Sequence, residues 1–236
     1  MSGFIPVIIL IIVALIILSY QLSAGVFTLF YHYNLGRHTA QKTDDYSLDF
    51  ILGTETFSAF IWLILYALFY VLLNYNIEFN TNIIIWILSG MMAAESILIM
   101  IFYYKKGAAT TLFITRKNAT NFITHTKTVN KRSDAYILGL ISAIPETVFS
   151  LPLYLTAMYI LLNTGYFSAT LFIIIYILLS TIPLFIIRMF YRTGKNLVWI
   201  ERFRIKTKPL IRIILVLGYF IIACLLVCMG VLNNGQ

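Results

Sequence analysis

Long apolar runs broken by short polar stretches make up most of this chain. Apolar residues dominate 4–31, 48–74, 81–104, 135–162, 166–190 and 209–232, and polar or charged residues gather between them. Each run reaches or exceeds the ~20 residues that a helix needs to cross the hydrocarbon of a bilayer. A backbone in lipid must satisfy its own hydrogen bonds, so such runs predict helices. The expected fold is all-α: a polytopic membrane protein forming one domain, 1–236, of six transmembrane helices. The first run has no basic stretch before it and continues past Ser23-Ala24-Gly25 into Val26-Phe27-Thr28-Leu29-Phe30. That favours a retained span over a cleaved signal peptide.

Composition agrees with this class. The chain is 61% hydrophobic and 11% charged, with mean hydropathy +0.90; a soluble domain carries about twice that charge. Cys224 and Cys228 lie four apart within one apolar run, a poor geometry for a disulfide. They are expected to be small buried hydrophobes.

Charge then orients the spans. The loop 33–47 holds two Lys or Arg, 105–134 holds seven and 188–212 holds eight, which accounts for all seventeen. In a six-span layout these three regions share one side. The N-terminus, the turns at 75–80 and 163–168 and the C-terminus hold none. The positive-inside rule predicts N-out, C-out, with cytoplasmic loops 33–47, 105–134 and 191–208. The net charge of +8 is thereby a topology signal and a contact for anionic inner-leaflet headgroups, and no nucleic-acid partner is expected. Thr111–Thr115 reads as a short apolar patch at the inner leaflet or at a partner, and 202–208 as an alternating interface segment. Asp44-Asp45 reads as a solvated acidic turn capping the second span.

An approximate repeat runs through spans 2–3 and 4–5. Span 2 begins Asp49-Phe50-Ile51-Leu52-Gly53 and continues Glu55-Thr56-Phe57-Ser58; span 4 begins Asp134-Ala135-Tyr136-Ile137-Leu138-Gly139 and continues Glu146-Thr147-Val148-Phe149-Ser150. Spans 3 and 5 end alike, at Phe102-Tyr103-Tyr104-Lys105-Lys106-Gly107 and Met189-Phe190-Tyr191-Arg192-Thr193-Gly194. A duplication would relate the pairs about an axis along the membrane normal. Interfaces between such repeats, at mid-membrane, are where transporters bind substrates and ions.

The candidate chemistry lies in three acids inside spans: Glu55, Glu95 and Glu146. Ionised acids are expensive in hydrocarbon and usually face protein or water. Desolvation and mutual repulsion would keep three unpaired carboxyl groups largely protonated until a cation arrives. No Lys or Arg lies at their depth; Arg188 and Arg212 stand near helix ends, where they can snorkel. Pro145 and Pro152 free carbonyls one turn back, beside Glu146. Gly139, Ser142, Ala143, Glu146 and Ser150 form one small, polar stripe, and Glu55, Ser58, Ala59 and Trp62 form another. Such stripes let helices approach closely in lipid. Glu95 shares its face with Leu88, Met91 and Met92, read as packing.

These residues support a small transporter or exporter of the cytoplasmic membrane, coupled to protons or another cation. Glu146, Glu55 and Glu95 would carry the ion, Ser142, Ser150 and Ser58 would support them, and Pro145 would act as a hinge. The same glutamates could instead hydrogen-bond carbonyls and clasp helices, which suits a non-transporting accessory or immunity subunit. A lipid-acting enzyme with Glu146 and Glu95 as acid and base is the third reading. Enzyme motifs are lacking: there is no HExxH, no phosphate-binding loop and no zinc-type Cys spacing, and His32, His38 and His125 stand at or beyond the cytoplasmic boundary. No cofactor and no metal site is expected. The expected partners are lipid headgroups, a small solute or ion, and a second copy or another membrane protein. Six spans, outside termini and a long loop between spans three and four resemble the layout of small exporters of the lysine-exporter type. The resemblance is one of layout and implies no residue roles.

Overall fold

The computed structural model describes residues 4–21, 30, 34, 38–74, 81–102, 124–164, 166–192 and 197–234. At several helix ends, at 145–146 and 148–149 and over most of 197–208, only the backbone course is described. Among the described residues the long helices are α1 Phe4–Gln21, α2 Ala40–Asn74, α3 Thr81–Phe102, α4 Arg132–Thr164, α5 Tyr166–Arg192 and α6 Leu197–Asn234, and residues 124–128 form a further short helical segment. Among the described residues there are no strands.

Four helices are long and apolar enough to cross a membrane, at Ala40–Val71, Asn82–Ile101, Ala169–Arg192 and Pro209–Val231. α1 and α4 contribute shorter apolar stretches, Ile5–Ile17 and Ser150–Leu161. α4 is continuous through both of its prolines, yet its first half is diluted by Ser142, Glu146 and Thr147. Helical backbone also extends beyond the apolar runs. Residues 40–47 begin α2 and 197–208 begin α6, with Pro209 inside the latter. The expected alternating interface segment at 202–208 is therefore helix. The Thr111–Thr115 patch lies outside the described residues.

α4 starts on a capping arrangement. Asp134 in the first turn accepts hydrogen bonds from the backbone N–H groups of Asn130 and Lys131, each at 3.2 Å, satisfying donors that a helix start leaves open. Thr43, early in α2, donates at 3.3 Å to the Asn34 carbonyl, and Asn34 Nδ2 donates at 2.9 Å to Phe30.

Two helix pairs build the bundle. α2 and α4 make the most extensive contact and run parallel. Near their N-terminal ends Tyr46 donates to the Asn130 carbonyl at 2.7 Å; further along, Trp62 meets Tyr154 with ring centroids 5.0 Å apart. Between these points the backbones touch at two glycines. A methyl group on Gly53 would strike the Tyr136 carbonyl oxygen, and one on Gly139 would strike that of Phe50. Lipid gives no hydrophobic drive for helices to associate, so close backbone approach of this kind supplies the attraction.

α3 and α6 form the second pair, antiparallel and stitched by side chains to carbonyls. Ser89 donates to Ala223 at 3.1 Å, Ser96 to Val216 at 3.0 Å and Arg212 to Met100 at 2.7 Å. α1 packs on α6, where Gly218 makes room for Ile16. Cys224 and Cys228 are exposed on the outer face of α6, not buried as expected. Lipid is as apolar as the interior, so hydrophobicity alone does not draw a thiol inward.

Gly53→Leu and Gly139→Leu should each lower thermal stability in detergent by at least about 1–3 kcal/mol, the usual penalty for overpacking. Gly90 has open space around its Cα, so Gly90→Leu should leave the melting temperature within a degree or two. Equal tolerance at all three positions would show that the crossing is not tight.

Candidate functional site

Buried side chains fall into two apolar clusters. One contains Phe30, Tyr46, Phe50, Leu138, Leu184, Ile187 and Tyr191. The other, larger, contains Trp62, Leu153, Tyr154, Tyr176, Tyr219 and much of α1, α3 and α6. Three helices pass from one cluster to the other, and each carries a buried polar group at the transition: Glu55 on α2, Ser142 and Ser150 on α4, and Ser180 on α5.

Glu55 is 8% exposed, and its one hydrogen-bond partner among the described residues is Ser180, with Oγ 2.9 Å from Oε2. The same Oγ lies 2.8 Å from the Ile177 carbonyl. A serine hydroxyl has one proton and two lone pairs. It cannot donate to both oxygens at once. With a neutral Glu55, the carboxyl O–H donates to Ser180 and Ser180 donates to Ile177. With a carboxylate, Ser180 rotates and donates to Glu55. The pair therefore accommodates both protonation states through one hydroxyl rotation.

The serines of α4 turn back onto their own helix. Ser142 donates to Gly139 at 2.8 Å, and Ser150 contacts the Thr147 carbonyl at 3.4 Å. Ser58 is half-buried on α2. The side chains of Pro145 and Glu146 lie outside the described residues. Glu95 is half-buried on α3, and its buried Oε2 has no hydrogen-bond partner among the described residues. It is not joined to Glu55, because α3 packs chiefly on α6 while Glu55 meets α5.

Next to the Glu55–Ser180 pair is an aromatic cluster. Trp62 lies 5.0 Å from the Tyr154 ring and 5.1 Å from the Tyr176 ring. The Tyr154 and Tyr176 hydroxyls are 2.9 Å apart. Ser150, Tyr154, Tyr176 and Tyr219, with Ile16 and Ile17 of α1, line a cavity of about 10 Å³. Comparison with protein-family models, curated proteins and solved structures finds no match for this chain. The site is thus read from its own chemistry.

Ser180 and the tyrosines were not singled out from sequence. A signal existed for the tyrosines. Membrane tyrosines favour headgroup depth, so Tyr176 and Tyr219, far from their helix ends, stood out of place. Ser180 carried no signal until its neighbour was known.

At the basic end two ion pairs tie α2 to its neighbours. Arg188 binds Asp44 through two bonds of 2.7 and 2.6 Å, with side chains 15% and 20% exposed. Asp44 is therefore a partner for α5, not the solvated turn expected. The guanidinium fork matches a carboxylate, and partial burial favours pairing over snorkelling. Arg132 binds Asp49 at 2.7 and 3.2 Å; the hydrogen bond and charge of Asp49 hold this guanidinium even more firmly protonated than usual.

Asp44→Asn should destabilise the protein by about 2–4 kcal/mol, since it strands a partly buried cation. Asp44→Asn with Arg188→Gln should cost less than the sum of the two single changes in a thermal double-mutant cycle. Asp49→Asn, opposite the exposed Arg132, should have a clearly smaller effect. Additive Asp44 and Arg188 effects would show that the pair is not coupled.

Proposed function

We propose that this chain is a small integral-membrane transporter or exporter of the cytoplasmic membrane, in which Glu55 binds and releases a proton or another cation. One observation carries the reading: a carboxyl group sealed among apolar side chains is held by a neutral hydroxyl and by no basic residue among the described side chains. A purely structural acid at this depth is better served by a basic partner or by replacement with an apolar residue. An acid that must alternate between charged and neutral forms needs a partner that serves both, and Ser180 does. Glu146 on α4 is proposed as the second carrier, with Pro145 as its hinge, and Ser142, Ser150 and Ser58 in support. Glu95 on α3 is proposed as a further ion carrier.

In this proposal all six helices span the membrane, with both termini outside. Supporting this, α2 and α4 run parallel, α5 runs against α2, and α3 runs against α6, as alternating passes require. The reciprocal contacts of Gly53 and Gly139 support reading spans 2–3 and 4–5 as repeats. Anionic headgroups would then meet the basic loops.

The test uses proteoliposomes carrying an imposed pH gradient and an internal pH dye, with a panel of small solutes added outside. Wild-type protein should dissipate the gradient with at least one solute. Glu55→Gln and Glu146→Gln should abolish that response while elution profile and helical content stay unchanged. Unchanged response in Glu55→Gln would remove this residue from the mechanism. A wild-type protein silent across the panel, with a stoichiometric membrane partner co-purifying, would favour the accessory-subunit reading, in which Glu55 and Ser180 merely join α2 to α5.

A further inference from the structure

A carrier sealed among apolar side chains must meet water at some stage of its cycle. The contact between α2 and α5 is built in three tiers that bear on where. Asp44 and Glu55 both lie on α2, eleven residues apart. Three helical turns separate them, so they share one face, roughly 16 Å apart along the axis. Their partners on α5 are Arg188 and Ser180. Between the two bonds lies an apolar tier: Ile51 of α2 with Leu184 and Ile187 of α5, all buried in one cluster. From the basic end inward the order is ion pair, apolar plug, buried acid.

The neighbours of α2 hold it in different ways. α4 meets it backbone to backbone at Gly53 and Gly139. α5 has no glycine and holds α2 through side chains, so α2 can release it without undoing a backbone contact. α5 also carries a break at the matching place. Pro183 lies inside the helix, between Ser180 and Arg188. It has no N–H for the Leu179 carbonyl, and sharp bends in helices occur chiefly at proline. Residues 184–192 are thus joined to the rest of α5 by a weakened turn. The Arg188–Asp44 pair that holds them down is partly exposed on both sides, which leaves water within reach of the charges. Arg188 also stands 6.0 Å from the centroid of the exposed Phe185 ring. Released from Asp44, it keeps a cation–π partner on its own helix and can extend to headgroups.

We propose that residues 184–192 of α5 form a gate over Glu55, hinged at Pro183 and latched by Arg188 to Asp44. With the latch made, Leu184 and Ile187 stay clustered with Ile51, and Glu55 is closed off from the basic end. With the latch broken, the segment swings out about Pro183 and the plug parts. Water from the basic end then reaches Glu55, while Ser180, which precedes the hinge, keeps its place beside the acid. The inference rests on the transport reading for its purpose, and its test reads the gate alone.

Full-length protein in lipid nanodiscs is labelled with a charged, water-soluble methanethiosulfonate. Cys224 and Cys228, exposed on α6, are changed to Ala, and Leu184→Cys supplies a thiol in the plug. Labelling should be slow in this background. It should be at least about tenfold faster when Arg188→Gln is added, because loss of the latch raises the population of the open form. Pro183→Ala restores the missing helical hydrogen bond and should take back most of that gain; a pair that only added stability would not respond to it. Leu153→Cys, buried in the other cluster, should stay slow with and without Arg188→Gln. Asp49→Asn, which releases Arg132 and leaves α5 latched, should not change labelling at Leu184→Cys. Ile187→Cys repeats the measurement if Leu184→Cys elutes as aggregate. Equal acceleration at Leu153→Cys and Leu184→Cys would show general loosening and overturn the gate, as would an Arg188→Gln effect that Pro183→Ala leaves intact. Solute flux lost in Glu55→Gln, with labelling unmoved by Arg188→Gln, would keep transport and remove the gate. Labelling that follows latch and hinge in a protein that moves no solute would keep the gate and remove the transport reading.

Discussion

Direct contact between the backbones of α2 and α4 sets the positions of the other elements. Gly53 faces the Tyr136 carbonyl and Gly139 faces that of Phe50, with no room for a side chain at either. The two contacts are reciprocal, so the helices meet backbone to backbone at this point. Below the crossing, Asp49 reaches Arg132 and Tyr46 reaches Asn130; above it, Trp62 reaches Tyr154. The crossing also aims Glu55. Two residues past Gly53, it is rotated about 200° around the helix axis, away from α4 and toward Ser180 of α5.

Hydrocarbon imposes a second condition, that every buried polar group find a protein partner. The α3–α6 pair meets it in part, with serines that donate to carbonyls across the interface, and leaves Glu95 Oε2 without a partner among the described residues. The α2–α4–α5 group meets it differently. Between the two apolar clusters Glu55 and Ser180 bond each other, and within the larger cluster Tyr154 and Tyr176 bond each other, while Trp62 Nε1 and Thr156 Oγ1 have no partner among the described residues. Charge is handled by segregation. Asp44, Asp49, Arg132 and Arg188 pair at the basic end of the bundle, where long side chains can pair or reach headgroups.

This division gives the two apolar clusters different parts. The cluster of Phe50, Leu138, Leu184 and Tyr191 separates Glu55 from the basic end. The larger one surrounds the tyrosine cavity. Glu55 and Ser180 stand where they meet, so the ion exchange proposed above would require one cluster or the other to loosen. The Asp44–Arg188 pair bridges α2 and α5 beside the first cluster, at the interface that contains the Glu55–Ser180 bond.

Period and length along the chain were enough to determine the helices, the membrane class and the concentration of basic residues in three regions. Hydrocarbon thickness and backbone hydrogen bonding act on each segment by itself, so a single segment carries the whole signal. The small residues of α4 and the acid of α2 were legible for the same reason. Pairings were not. Nothing local says that Ser180 belongs to Glu55, that Asp44 belongs to Arg188, or that three tyrosines from three helices share one cavity, because each depends on the rotation of two helices about their axes. The cysteines of α6 show the same limit. An apolar run in lipid has no intrinsic inside, and only packing against α3 and α1 decided which face of that helix looks outward.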